Sequence, residues 1–581
     1  MKQSKKPLGS GRASHTFVNP LCLPCYPVNT FDMYGDKGAQ TDGGSEGTPP
    51  IGKGSPYSFW YDYMPSMPEI MQRFNKLWIS SMNLQVEGPY RATADPVGLY
   101  YEGMWYLYAT GNGCWSSSDF IHWTAHPVNI EYVAPDIAVR RGKFYLAGNS
   151  TDLYVSDSPT GPFQTIGAFS WNGQPLNPSN NDISLFVDDD DRMYLYWGMG
   201  PGIWGAELNP RQTNELLTEP VNLIQFHPEN WWERYGASNQ DWSNGFLEGS
   251  NMIKINGTYY LQYSCAGTEF DSYAMGCYKS SQGPLSGFVL QKNNPICRKN
   301  YGLYRGVGHA AVCKGPQDTL WMFETVTGNY GVERRLACDP AGIDENGDLC
   351  VNFHYDVPQY TPGTLSHPEL GNGANLDNLT MGHQMWASSW SEGRLPMYGV
   401  DGSMLTWWQP RKEDPEPVFY VGLRGDYYIY SIRVMFKEVT KDLNLRGAFG
   451  YRVEVYDGLD AKTGQWKTIL DKTRNQEDLI YFYDVLEKPV KALFTRCLFG
   501  CKEGGPCQGQ IKNPWRKSWR KSRKSLMARS PPYMCVFPGT MSWKGRVTPS
   551  PIKKLCSLTM PGGTNSRTSA FSWTTAFPAS P

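Results

Sequence analysis

Between residues 94 and 324 one pattern of polar and apolar positions recurs five times. A polar or acidic residue leads an apolar run, a tight turn follows, and an aromatic-rich run completes the unit. The pattern reads ADPVGLYYEGMWYLYAT from Ala94, APDIAVRRGKFYLAG from Ala134 and NDISLFVDDDDRMYLYWG from Asn181. It returns as LEGSNMIKINGTYYLQYS from Leu247 and GHAAVCKGPQDTLWMFE from Gly308. Short runs rich in Val, Leu, Tyr and Trp, bounded by turn residues, predict paired strands. The turns are Glu102-Gly103, Arg141-Gly142, the run Asp188–Asp191, Asn256-Gly257 and Gly315-Pro316. Asn-Gly is the strongest hairpin signal of these, because both central positions of the turn need positive φ. Further strands follow each pair, as in CWSSSDFIHW from Cys114, LYVSDSPTGPF from Leu153 and MGCYKSSQGPLSGF from Met275. Four-stranded units repeating in this way predict an all-β chain with a five-bladed β-propeller over residues 88–351. A long array of β-sandwiches is the alternative.

The lead positions carry the candidate chemistry. In a propeller the innermost strands line a central channel, so residues at equivalent strand ends converge on its axis. The five leads are Asp95, Asp136, Asp182, Glu248 and His309. Singly, each acid also reads as a turn cap or a structural hydrogen-bond acceptor. Together they point to a shared site, since carboxylates buried side by side raise one another's pKa and cost stability.

These residues resemble glycoside hydrolase family 43 over about residues 90–350. The resemblance rests on ADP in the first unit, APD in the second, Asp182 before SLFVDDDDRMYL, Glu248-Gly249, and His309 in VGHAAV. The stretches CAGTEFDSYAMGCYKSSQGPLSGF and ERRLACDPAGIDENGDL resemble one branch of that family, and NPLCLPCYP resembles its usual opening. The resemblance implies an inverting glycosidase with Asp95 as general base, Glu248 as general acid and Asp182 tuning that acid. Inversion needs room for a water between acid and base, about 6.5–9.5 Å. Substrate contacts are expected from Asp136, His309, Arg334 and Arg335, each with a structural alternative: strand cap, core histidine or surface ion pair. No cofactor is required for such chemistry, and a structural calcium ion near His309 is left open. The implied substrate is plant polysaccharide or oligosaccharide bearing arabinofuranose or xylose. The rival reading is a non-catalytic carbohydrate-binding propeller.

Residues 1–87 are expected to pack on the propeller, and 352–380, rich in Pro, Gly and Asn, read as a linker. Alternating runs resume over 381–496. There WASSWSEG, YGVDGSMLTWW and FYVGLRGDYYIYSIRVMF resemble a discoidin-type (coagulation factor 5/8 C-domain) β-sandwich, a jelly roll that in hydrolases usually binds sugar. Trp407 and Trp408 fit core and binding platform equally well.

Composition refines this picture. Aromatic residues make up 14% of the chain and charged ones 19%, which suits both strands and sugar binding and so decides neither. Net charge is −1, yet residues 501–581 hold 14 Lys and Arg against Glu503 alone, leaving 40 basic and 54 acidic residues before them. An acidic body argues against nucleic acid as a partner. From residue 497 the strand pattern stops, and the tail reads as disordered or as the product of a shifted reading frame. The run Asp188–Asp191 lacks the Gly and distal Glu of a helix–loop–helix calcium site and reads as a solvated turn. Cys22 and Cys25 have no second pair at zinc spacing. No apolar stretch is long enough to span a membrane. No signal peptide is visible, and an extracellular or periplasmic location is expected from the substrate class.

Overall fold

The computed structural model describes residues 13–24, 93–149, 152–176, 182–268, 270–329, 333–352, 357–404, 406–436, 449–458, 464–477 and 479–499. Among them the protein is all-β, with only three- or four-residue 3-10 turns besides strands. Among the described residues no helix is long and apolar enough to cross a membrane. Cys497–Phe499, expected to begin the tail, instead complete the paired strand Tyr481–Phe499. The tail beyond residue 499, most of 1–87, and Cys25 lie outside the described residues, as do the expectations placed on them.

Five antiparallel blades follow the five sequence units. The first holds Val97–Tyr101, Met104–Tyr108 and Gly111–Ser117 and ends on the long strand Thr124–Arg140. That strand continues as the inner strand of the second blade, beside Lys143–Asn149, Leu153–Ser156 and Gln164–Gly167. The third runs Ile183–Val187, Met193–Trp197, Gly202–Glu207 and Val221–Gln225. The fourth is Glu248–Ile255, Thr258–Cys265, Ala274–Ser280 and Val289–Leu290, and the fifth Arg305–Lys314, Leu320–Asn329, Glu333–Ile343 and Leu349–Val351. Each inner strand lies against the next, and the first lies against the fifth, so the inner strands close a ring.

The hairpin turns form where turn chemistry places them. Glu102-Gly103, Arg141-Gly142 and Asn256-Gly257 all have positive φ at both positions, the twist that suits a two-residue hairpin. Blades are buried on both faces, so strands such as MYLYW (Met193–Trp197) are wholly interior rather than alternating. Ring closure rests on aromatic packing between the first and fifth blades. Trp105 lies 5.3 Å from Phe120 and 5.6 Å from Phe323 between ring centroids. A Cβ on Gly98 would stand 2.2 Å from the Phe323 ring, so a side chain there would push the two blades apart. The acidic turn Asp188–Asp191 joins three blades: Asp188 bonds Lys254 and Tyr259, each at 2.6 Å, and Asp191 pairs with Arg140 at 3.2 Å.

The segment Ala13–Pro24 and the Pro/Gly-rich stretch after residue 357 seal the outer side of the fifth blade. Thr16–Phe17 pairs with Gln359–Tyr360, and Asn19 exchanges hydrogen bonds with the Cys338 backbone, each at 3.0 Å. The supposed linker is therefore a packed strap, with Gln359, Asn372 and Ala374 fully buried. Beyond it, one five-stranded antiparallel sheet is described, in the order Gln384–Ala387, Val418–Met435, Tyr481–Phe499, Tyr451–Tyr456 and Trp466–Asp471. Trp408 packs into that sheet against Phe419 and Phe499, and Asp401 accepts a 2.6 Å hydrogen bond from Thr406.

Candidate active site

The leads occupy places where the inner strands leave regular extension. Asp95 (φ 60°), Ala134 (45°) and His309 (40°) are non-glycine residues in the left-handed region, and Gly249 beside Glu248 has φ 56°. Strand pairing slips between Val133 and Asp136, between Glu248 and Asn251, and between Arg305 and Ala311. Bulges of this kind re-aim side chains, and non-glycine residues at positive φ cost on the order of 1–3 kcal/mol each, a strain that gathers at functional sites. At Gly249 a Cβ would lie 2.9 Å from His309 Cγ and 3.1 Å from Ser264 Oγ. Only glycine leaves room there for the imidazole.

Three carboxylates from blades one, three and four meet around that imidazole. His309 Nδ1 lies 3.4 Å from Asp95 Oδ1 and 3.5 Å from Asp182 Oδ2. Donor atoms of Asp182, Glu248 and His309 all lie within 4.8 Å of one another. All three carboxylates are buried.

Their surroundings differ, and so do their acidities. Burial acts to raise the pKa of Asp95, but Arg334, His309 and the Thr110 hydroxyl, 2.7 Å from Oδ2, outweigh it and hold the group below its ordinary value. Burial raises the pKa of Asp182; His309 offsets part of this, while the Asp95 charge adds to it. Asp182 Oδ1 accepts from Asn149 at 2.5 Å and Oδ2 from the Gly249 N–H at 2.9 Å. It thereby fixes the backbone next to Glu248. Glu248 Oε1 accepts a 2.6 Å hydrogen bond from the Tyr273 hydroxyl.

The other expected contacts divide. Arg334 reaches inward, 3.4 Å from Asp95 Oδ1 and 3.2 Å from Thr268 Oγ1. Arg335 turns the other way, with Nε 2.9 Å from the Tyr481 hydroxyl and its guanidinium against the Tyr481 ring. Asp136 accepts from the N–H groups of Ile137 and Leu185 at 2.8 and 2.7 Å, stitching blade two to blade three. Burial pushes its pKa up to about 7 despite those bonds. Tyr273, Asn149, Thr110 and Thr268 were not foreseen. Tyr273 and Thr268 lie in stretches that carried the resemblance, but no spacing rule singles them out.

A calcium ion is a poor fit to this donor set. Calcium takes six to eight oxygens, whereas among the described residues the donor atoms within 4.8 Å of one another are one oxygen each from Asp182 and Glu248 and one His309 nitrogen. Both Asp182 oxygens and Glu248 Oε1 already accept hydrogen bonds.

Residues 90–348 match the family model for Glycosyl hydrolases family 43. A Beta-D-galactofuranosidase of Aspergillus niger is 24% identical over 246 residues, covering 35% of this chain and 66% of its own. An Arabinoxylan arabinofuranohydrolase of Bacillus subtilis is 29% identical over 260 residues, covering 34% and 49%. A Beta-xylosidase of Xylanibacter ruminicola is 28% identical over 190 residues, covering 27% and 56%. The chain thus spans about half to two thirds of the length of these curated relatives. Among solved structures, a thermostable family-43 glycoside hydrolase aligns at 24% identity and TM-score 0.40, covering 47% of this chain and 97% of its own.

Proposed function

We propose, from the match of residues 90–348 to the family model for Glycosyl hydrolases family 43, that the protein is an inverting glycosidase. It releases arabinofuranosyl or xylosyl units from plant polysaccharide or its oligosaccharides. The observation that carries this reading is the meeting of Asp95, Asp182 and Glu248 around His309.

Asp95 is the group suited to act as base. Its pKa is held low, so it stays ionised and accepts the proton of a water that attacks the anomeric carbon. Glu248 is the acid, delivering a proton to the departing glycosidic oxygen, with Tyr273 holding its carboxyl in place. An ionised Asp182 places like charge beside Glu248 and favours the acid's protonated form. No metal enters these steps. The names of the relatives support arabinofuranose, xylose or galactofuranose as the released sugar.

Two measurements test the proposal. Release of p-nitrophenol from the p-nitrophenyl arabinofuranoside, xyloside or galactofuranoside is expected from the wild type. On arabinoxylan oligosaccharide, whose sugar leaving group needs a proton, Asp95→Asn and Glu248→Gln should each lower kcat by at least about 100-fold. Wild-type inactivity on every glycoside tried, with polymer binding intact, would favour the non-catalytic rival. Proton NMR of the first-formed product should give the inverted anomer; retention would exclude the mechanism.

The C-terminal sheet is the candidate second sugar contact. A surface hollow of about 470 Å³ there is lined by Trp390, Arg411 and Glu413 among others, the mixture of flat ring and hydrogen-bonding groups that a saccharide requires. An extracellular or periplasmic place of action goes with such substrates.

A further inference from the structure

Residues 226–247 link the outer strand of blade three to Glu248 and fold into a ribbon, Arg234–Tyr235 against Asp241–Gly245. This ribbon is firmly anchored. Glu233, fully buried, accepts from the His227 N–H at 2.8 Å, Asn230 at 2.8 Å and the Tyr263 hydroxyl at 2.6 Å. Tyr235 is buried against Phe270, 5.1 Å between centroids. Yet the ribbon presents Trp242 to solvent, 60% exposed, with the Arg234 guanidinium 3.2 Å from the ring centroid. Trp231 is also exposed, and Arg298 lies 4.9 Å from its ring. The intervening Trp232 is buried, so the segment buries one indole while leaving two open.

Hydrogen bonds tie this ribbon to the acid's side of the site. Ser272 donates to the Gly236 carbonyl at 2.8 Å, and its neighbour Tyr273 donates to Glu248. The Gly236 N–H donates to the Ala266 carbonyl at 3.3 Å, two residues before the Thr268 that receives Arg334. Trp242 precedes Glu248 by six residues, so their Cα atoms are at most about 22 Å apart.

The geometry points to Trp242, backed by Arg234, as a stacking platform for the leaving-group portion of the substrate, a chain of pyranose units. The inference rests on the proposed glycosidase reading. A general acid protonates the glycosidic oxygen, so the leaving group lies on the acid's side, which is where this ribbon is bonded. A flat indole complements the apolar CH face of a pyranose, and an arginine against its other face holds the ring without covering it. Single exposed aromatics are ordinary on protein surfaces. Two arginine-backed indoles on one anchored ribbon beside the acid are a built surface. The protein would therefore favour sugars carried on a pyranose polymer over the same sugars on small aryl groups.

The test compares Trp242→Phe, which keeps a flat ring, with Trp242→Leu, which keeps apolar bulk alone. The readout is the ratio of kcat/KM on arabinoxylan oligosaccharide to kcat/KM on the p-nitrophenyl glycoside. Trp242→Leu is expected to lower that ratio by about tenfold, the scale of one aromatic contact, while Trp242→Phe stays near wild type. Equal ratios in the two variants would overturn the platform. Retardation of the same variants, each also carrying Glu248→Gln, in native gels containing soluble arabinoxylan gives an independent reading. Weaker retardation of the Leu form alone is expected, and equal retardation, or none in any form, overturns the inference. If the wild type cleaves no glycoside, the proposed function fails, and the gels still decide the platform.

Discussion

At the scale of single residues, the site works because similar groups are given different surroundings. Asp95 and Asp182 approach the same imidazole nitrogen, but only Asp95 has Arg334 beside it. Removing that guanidinium in Arg334→Met takes away the largest influence holding the Asp95 pKa down and leaves burial, which pushes it up. The acid limb of the kcat/KM profile should therefore move to higher pH, with activity lost first under acidic conditions. A limb that stays in place would remove Arg334 from the control of the base. The two arginines also mark the limit of what sequence can tell. Arg334 and Arg335 are consecutive in a strand, and consecutive strand residues point to opposite faces. Both were reasonable candidates, yet only one of the two could reach the channel. Nothing local to GVERRLA decides which, because the answer depends on where Tyr481 and Asp95 lie in the folded chain.

Individual strands and hairpins were legible where the signal was local. Asn256-Gly257 and its counterparts fold as turns because their own φ preferences require it, and the five leads were found because they recur in register. The strap after residue 357 was read as a linker because its Pro, Gly and Asn content describes backbone freedom, not the buried bonds of Gln359 and Asn372. The same blindness hid an acid pair in blade five. Glu324 and Asp339 lie on neighbouring strands, diagonal across the ladder in which Glu324 faces Ala337 and Met322 faces Asp339. Both are fully buried. Asp339 Oδ1 accepts from Gln359 and Asn19, at 2.7 and 3.2 Å. Burial, then the Asp339 charge, lifts the Glu324 pKa well above 4.5, with Lys299 opposing. Protonated Glu324 costs nothing below its unfolded value, but the folded state binds more protons than the unfolded one as pH rises above it, so stability drains away towards the raised folded value. Glu324→Gln, which keeps a donor for Asp339 at every pH, should raise the melting temperature at pH 8 and bring less benefit at pH 5. Calorimetry at the two pH values checks this, and a benefit larger at pH 5 would contradict a Glu324 pKa raised by burial and the Asp339 charge.

For the molecule as a whole, the decisive question is whether the propeller and the C-terminal sheet are separate bodies. A string of domains joined by a linker would unfold in steps. The contacts argue otherwise. Ile480, Tyr481 and Met404 share one core with Leu303, Val307 and Val326 of the propeller. The Met404 N–H donates to the Leu303 carbonyl at 2.8 Å. Tyr483 bonds Thr16 at 2.8 Å on the segment that itself seals blade five. Tyr481 adds the hydroxyl and ring that receive Arg335, whose neighbour Arg334 sets the charge around Asp95. Emptying that position with Tyr481→Ala should cost about 3–5 kcal/mol, as large aromatic truncations in a core do, and would leave the Arg335 guanidinium without its ring. Because the lost contacts belong to both parts, differential scanning calorimetry is expected to give a single transition in wild type and variant alike, with the whole transition displaced to lower temperature. Two transitions, of which only one moves, would mean that the sheet folds apart from the propeller and that Arg335 braces nothing in the active site.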